Sequence, residues 1–182
     1  MTTSSYQDIL SFWFKEISPE SWWEVKPEFD EVIRNRFMLL LHKTARGECF
    51  EWRTHPEGRL AEIIVLDQFS RNIYRGTPRA FSQDAIALVL AQEAVSLGAH
   101  RQLSPIERSF MLMPYMHSES GAIHVQAEVL YREYAPENNY NFELRHKAII
   151  DRFGRYPHRN EILGRTSTSE ELEFLEQPGS SF

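Results

Sequence analysis

The sequence predicts an all-α fold built from antiparallel helical hairpins. Apolar residues recur at three- and four-residue spacing along most of the chain. No period-2 run flanked by Asn-Gly or Asp-Gly turns interrupts them. Proline, serine and glycine fall where such helices should start and stop. With 182 residues the chain can bury one sizeable core. No stretch is long or polar enough to divide it, so residues 1–182 read as a single helical domain, with 176–182 as a flexible tail.

The first helix runs from about Tyr6 to Phe14 and puts Ile9, Phe12 and Trp13 on one side. Pro27 occupies a first helical position, and Phe29, Ile33, Phe37, Leu40 and Leu41 follow at helical spacing to about Ala45, with Gly47 as the stop. Pro56 opens a helix through Leu60, Ile63, Ile64, Leu66 and Phe69 that ends between Asn72 and Gly76. Ser82 is placed to cap the next, which runs to Gly98. Ser104, Pro105 and Glu107 supply an N-cap, a proline at N1 and a capping-box acid. Further helices cover roughly Ser120 to Tyr134 and Tyr140 to Phe153, and a last one starts after Ser169 and ends near Leu175. Short connections between about seven to nine helices favour antiparallel neighbours, with a compact bundle as the alternative packing.

Composition removes several function classes. An apolar fraction of 42% with 13% aromatics excludes a disordered chain. The net charge of -6 argues against a nucleic-acid partner held by bulk charge. Cys49 stands alone, so it forms no internal disulfide, and no Cys/His zinc spacing exists; neither a metal nor a cofactor is expected. No run approaches the ~20 apolar residues of a membrane span, and no secretory signal pattern occurs. A cytoplasmic protein without a membrane partner is therefore expected, with a homo-oligomer left open.

The net charge hides a segregation. Residues 1–31 carry seven acids against two bases, and residues 166–182 four acids and no base. Residues 67–79 carry three arginines and one acid, and residues 141–165 six bases and three acids. Arginine gathered locally in an acidic chain points to a small anionic ligand; ordinary salt-bridge and helix-end chemistry is the competing explanation.

Three stretches put polar groups where apolar ones are expected. In AEIIVLDQFSRNIYRG the apolar residues surround the helix, so it should be buried, yet Asp67, Gln68 and Arg71 share one sector of it. Either an i,i+4 salt bridge fixes packing there, or Asp67 orients Arg71 toward a ligand. In MLMPYMHSESG, His117, Ser118 and Glu119 sit together at a helix break, as a general base beside a carboxylate or as a capped helix start. In NFELRHKAIIDRFGRYPHRNEILGR, His146 lies on an apolar face, and Arg155, His158, Arg159 and Asn160 follow the helix-ending Gly154. The single E-x-x-H, Glu143 to His146, falls short of the two motifs a di-iron carboxylate bundle needs.

LDQFSRNIYRGTPRAF, PYMHSES and RFGRYPHRNEILGR-TSTSEELEFL, with the opening ILSFWF and its WW pair, resemble the bacterial family of uncharacterised proteins catalogued as domain of unknown function 924, from about Ile9 to Leu175. The resemblance implies a tetratricopeptide-like, right-handed superhelix of helical hairpins and no established reaction. Its signature polar residues fall on the positions already singled out. The expected site thus takes an anion on Arg71, Arg155 and Arg159, with Gln68, Ser118, His158 and Asn160 as further ligand-binding residues. His117 or His146 moves protons, oriented by Glu119 or Asp67. The alternative is a peptide- or protein-binding scaffold whose polar clusters are structural.

Overall fold

The structure, a computed structural model, describes residues 5–181. Helix α1 (Tyr6–Ser11) is fixed by a capping box in which the Ser5 hydroxyl accepts from the Asp8 N–H and Asp8 accepts from the Ser5 N–H at 2.7 Å. It continues as a π-helical turn over Phe12–Glu16. α2 (Pro27–Ala45) starts on its proline as expected. α3 (Pro56–Ile64) passes through a second π-helical turn, Val65–Phe69, directly into α4 (Ser70–Ile73). α5 (Asp84–Ser96), α6 (Pro105–Met116), α7 (Gly121–Tyr134), α8 (Glu137–Phe153) and α9 (Ser169–Leu175) follow. Among the described residues there is no strand.

The α3–α4 helix is the centre of the molecule. Leu60, Ile63, Ile64, Val65, Leu66 and Phe69 are fully buried, which explains why its apolar residues run all the way round. α1, α2, α5 and α6 pack against it, and α5 packs on α6, α6 on α7 and α7 on α8, as short connections require. Phe69 closes an aromatic cluster with Phe37 and Phe12, whose ring centroids are 4.9 and 6.1 Å from its own. Burial of these rings stabilises this half of the fold.

Several boundaries differ from expectation for local reasons. Gln83, not Ser82, precedes α5, because the Ser82 hydroxyl donates to the Arg79 carbonyl at 2.8 Å. α8 begins at Glu137 rather than Tyr140, since the Pro136 carbonyl already accepts from the Tyr140 N–H at 3.1 Å. Pro114 does not end α6; the helix reaches Met116, so the break falls on His117–Ser120. α8 ends on Gly154 with φ of 69°, a left-handed conformation that turns the chain sharply into residues 155–160. Beyond α9, Ser180 is 6% exposed and its hydroxyl donates to the Leu175 carbonyl at 3.0 Å; Phe182, the last residue of the expected tail, lies outside the described residues.

Candidate functional site

Asp67 lies in the π-helical turn between α3 and α4 and is 1% exposed. A π turn holds more residues than an α turn and shifts the side-chain register, a distortion that recurs at functional sites. Here it leaves two polar residues inside the core. His117, at the end of α6, places Nδ1 2.7 Å from Asp67 Oδ1. Arg71 donates to the same oxygen at 3.2 Å, and Gln68 to Oδ2 at 2.6 Å. Burial pushes the Asp67 carboxyl up, but the charge of Arg71 and the contact with His117 outweigh it and hold the group ionised, well below the usual carboxylate range.

That charge state decides the histidine. Burial, followed by the charge of Arg71, lowers the His117 pKa, against the opposing pull of Asp67. His117 is therefore neutral near pH 7, its Nδ1–H donates to the Asp67 carboxylate, and Nε2 carries a lone pair. His117 also lines a cleft of about 450 Å³, between the Pro78–Phe81 turn with the start of α5 and the end of α6. An imidazole held at Nδ1 by a buried carboxylate, with its other nitrogen basic, is equipped to take or return a proton.

Two arginines stand behind this cleft in different states. Arg71 makes a two-pronged pair with Asp84, at 2.8 and 2.9 Å, besides its bonds to Asp67. Arg159 lines the cleft and is 5% exposed. Its Cζ sits 4.7 Å from the ring centroids of both Phe81 and Tyr156. Its Nη1 is 3.6 Å from Asp84 Oδ2, beyond hydrogen-bond reach, and its Nε has no hydrogen-bond partner among the described residues. A buried guanidinium with an unengaged donor is costly, and this one stands in the wall of the cleft.

Ser118 and Glu119 line the same cleft, but Glu119 faces away from the histidine in chemical terms. Its carboxylate takes a bidentate pair from Arg165 at 2.6 and 2.9 Å and accepts the Tyr156 N–H at 2.8 Å. Burial raises its pKa, but these hydrogen bonds outweigh it and hold the carboxyl below its ordinary value, ionised. Asp67, not Glu119, is thus the carboxylate that sets the His117 tautomer.

The remaining expected site residues fall elsewhere. Arg155 pairs with Glu171 of α9 at 2.6 and 2.7 Å and donates to the Thr166 carbonyl. Asn160 donates to Ser167 Oγ at 3.0 Å and accepts from Arg165 Nε at 2.9 Å. These contacts clasp α9 onto the turn after α8. His146 bonds through Nδ1 to the Phe142 carbonyl one turn earlier in its own helix, and its ring stands edge-on to Tyr156 at 5.8 Å. Burial pushes its pKa down to about 3 and that of His158 down to about 4. His158 borders a second cavity, of about 580 Å³, with Glu161, Arg165 and Leu172.

Sequence reasoning missed Asp84, Phe81, Arg165 and the buried pair His124–Glu143. Asp84 stands in the first turn of α5, where an acid is favoured by the helix dipole alone and so carries no signal of a site. Glu143 of the E-x-x-H bonds His124, not His146: Oε1 is 2.7 Å from His124 Nδ1, and both side chains are fully buried. His124 Nε2 lies 2.8 Å from the Ser118 carbonyl, which can only accept, so Nε2 carries a proton. The Tyr156 hydroxyl donates to the Met116 carbonyl at 2.5 Å. The carbonyls on both sides of His117 are therefore pinned by buried side chains. Among the described residues no group of three or more His, Cys, Asp or Glu is placed to hold a metal ion.

Over residues 9–179 the chain matches the family described as bacterial protein of unknown function (DUF924), and it belongs to that family. It is similar to the solved structure of a protein of unknown function from Agrobacterium tumefaciens, with a TM-score of 0.89 and 35% identity over 94% of this chain and 96% of that one. No curated protein matches it. No helix among the described residues is long and apolar enough to cross a membrane.

Proposed function

We propose that this family member binds a small anionic molecule in the cleft beside α5 and α6, and that the Asp67–His117 pair exchanges a proton with it or with a water beside it. The observation that carries this reading is Arg159: a buried guanidinium, stacked between two rings, with Nε unengaged, in the cleft that His117 also lines. Arg159 supplies the donor for the anion and His117 Nε2 the base. Asp67, Gln68, Arg71 and Asp84 hold those two groups in place. A cytosolic location fits the lone buried thiol of Cys49. Packing of α5 to α8 in sequence fits a tetratricopeptide-like superhelix.

Thermal-shift measurement against a panel of carboxylates and phosphates tests the reading. At least one anion should raise the wild-type midpoint, the shift should vanish in Arg159→Gln, and it should survive in Arg155→Gln. A panel that leaves the wild type unmoved, or a shift that survives in Arg159→Gln, overturns it.

A further inference from the structure

The charge and shape of the cleft narrow the ligand further, given that it binds an anion as proposed above. Asp67 and Asp84 are balanced by Arg71 and Arg159, Glu119 is balanced by Arg165, and His117 is neutral. The site is thus close to electroneutral before any ligand enters. With Arg159 already counted against Asp84, a dianion would leave the site two charges negative beside Asp84 and Glu119, which both border the cleft. A monoanion leaves it one charge negative and carries the smaller electrostatic cost.

The geometry of Arg159 favours a planar acceptor. Asp84 approaches Nη1 without a hydrogen bond, and the buried Nε has no partner among the described residues. A guanidinium offers parallel N–H pairs that match the two oxygens of a carboxylate. Half of the cleft's lining is apolar, with Pro78, Phe81, Ala85, Leu88, Pro114 and Leu163 in its walls beside the hydroxyls of Ser82 and Ser118. Its 450 Å³ lies toward the small end of the ~300–1,000 Å³ usual for ligand pockets. We infer that the ligand is an amphiphilic monoanion: one carboxylate, held by Arg159, on an apolar body the size of a short acyl chain that packs along Phe81, Leu88 and Leu163.

The test is a set of NMR titrations of the ¹⁵N-labelled protein at pH 7.5 with acetate, butanoate, hexanoate and hexyl phosphate. Each methylene buried should tighten binding about fourfold, so hexanoate should bind more than about tenfold tighter than acetate even with partial burial. Hexanoate should also bind tighter than hexyl phosphate, which is largely dianionic at that pH. Leu88→Asn should flatten the chain-length dependence while acetate still binds. Affinity that does not change from acetate to hexanoate, or a preference for hexyl phosphate, overturns this inference and leaves the anion site standing. No binding by any of the four overturns the anion site itself, and the inference with it.

Discussion

Arg155, Arg159 and Arg165 come from one short stretch after α8, and the structure uses them in two ways. Arg155 and Arg165 both hold a carboxylate in a two-pronged pair: the first grips Glu171, the second grips Glu119 and also bonds Asn160 and the Tyr156 carbonyl. Arg159 is more deeply buried than either, yet it lies 3.6 Å from its nearest carboxylate and keeps Nε unengaged. Burial alone therefore does not separate a structural arginine from one held ready for a ligand. The difference lies in whether each donor already has an acceptor. The clasp around α9 is a closed network, and the cleft beside His117 is an open one.

This contrast can be broken first by acid. Burial lowers the folded-state pKa of His146 to about 3 and of His158 to about 4, from an ordinary 6.5. The unfolded chain then binds protons that the folded chain excludes. Stability is fully present above pH 6.5 and falls as the pH drops toward 4, by up to about 1.4 kcal/mol per pH unit for each imidazole. Urea unfolding at pH 7 and pH 5 should differ by about 4 kcal/mol from these two imidazoles, and His146→Leu should remove about 2 kcal/mol of that difference. Glu171, held at about 2 chiefly by Arg155, adds a further loss below pH 4.5. A flat profile between pH 7 and 5 would show that these histidines are not packed as described.

Next in size is the exchange of arginines. Arg165→Ala leaves Glu119 half-buried without its cation and should cost about 2–3 kcal/mol in urea unfolding. Arg159→Gln, which removes a charge with an unengaged donor, should cost less than about 1 kcal/mol. Equal losses would erase the distinction between the two networks. Smaller again, Gly154→Ala should cost about 1 kcal/mol, because alanine is strained at the φ of 69° that directs the chain into the clasp. It should leave anion binding unchanged, since Gly154 does not line the cleft.

Much of the fold was legible because helix starts are written in local chemistry. Pro27, Pro56, Pro105 and the Ser104–Glu107 box all mark observed helix starts. The π turns at Phe12–Glu16 and Val65–Phe69 were not legible, since their hydrogen-bond register is decided by packing and not by residue type. For the site, helical spacing showed that Asp67, Gln68 and Arg71 share a face, and the structure adds His117 to them. Which carboxylate each long side chain would reach could not be read from spacing. Asp84 lies 75 residues from Arg159, Glu119 lies 46 from Arg165, and Glu143 bonds the histidine 19 residues before it and not the one three residues after. Pairs of that separation are set by how helices stack, so Arg155 and Arg159 looked alike in the sequence and differ in the fold.

The most direct measurement compares those two arginines with one probe. Hexanoate is titrated into ¹⁵N-labelled wild type, Arg159→Gln and Arg155→Gln at pH 7.5. Arg159→Gln should weaken binding at least about tenfold, the value of a charged hydrogen bond, whereas Arg155→Gln should stay within about twofold of wild type. Chemical-shift changes in the wild type should centre on His117, Phe81 and Leu88. Equal weakening by both substitutions, or wild-type affinity in Arg159→Gln, would contradict the assignment of Arg159 as the residue that holds the anion.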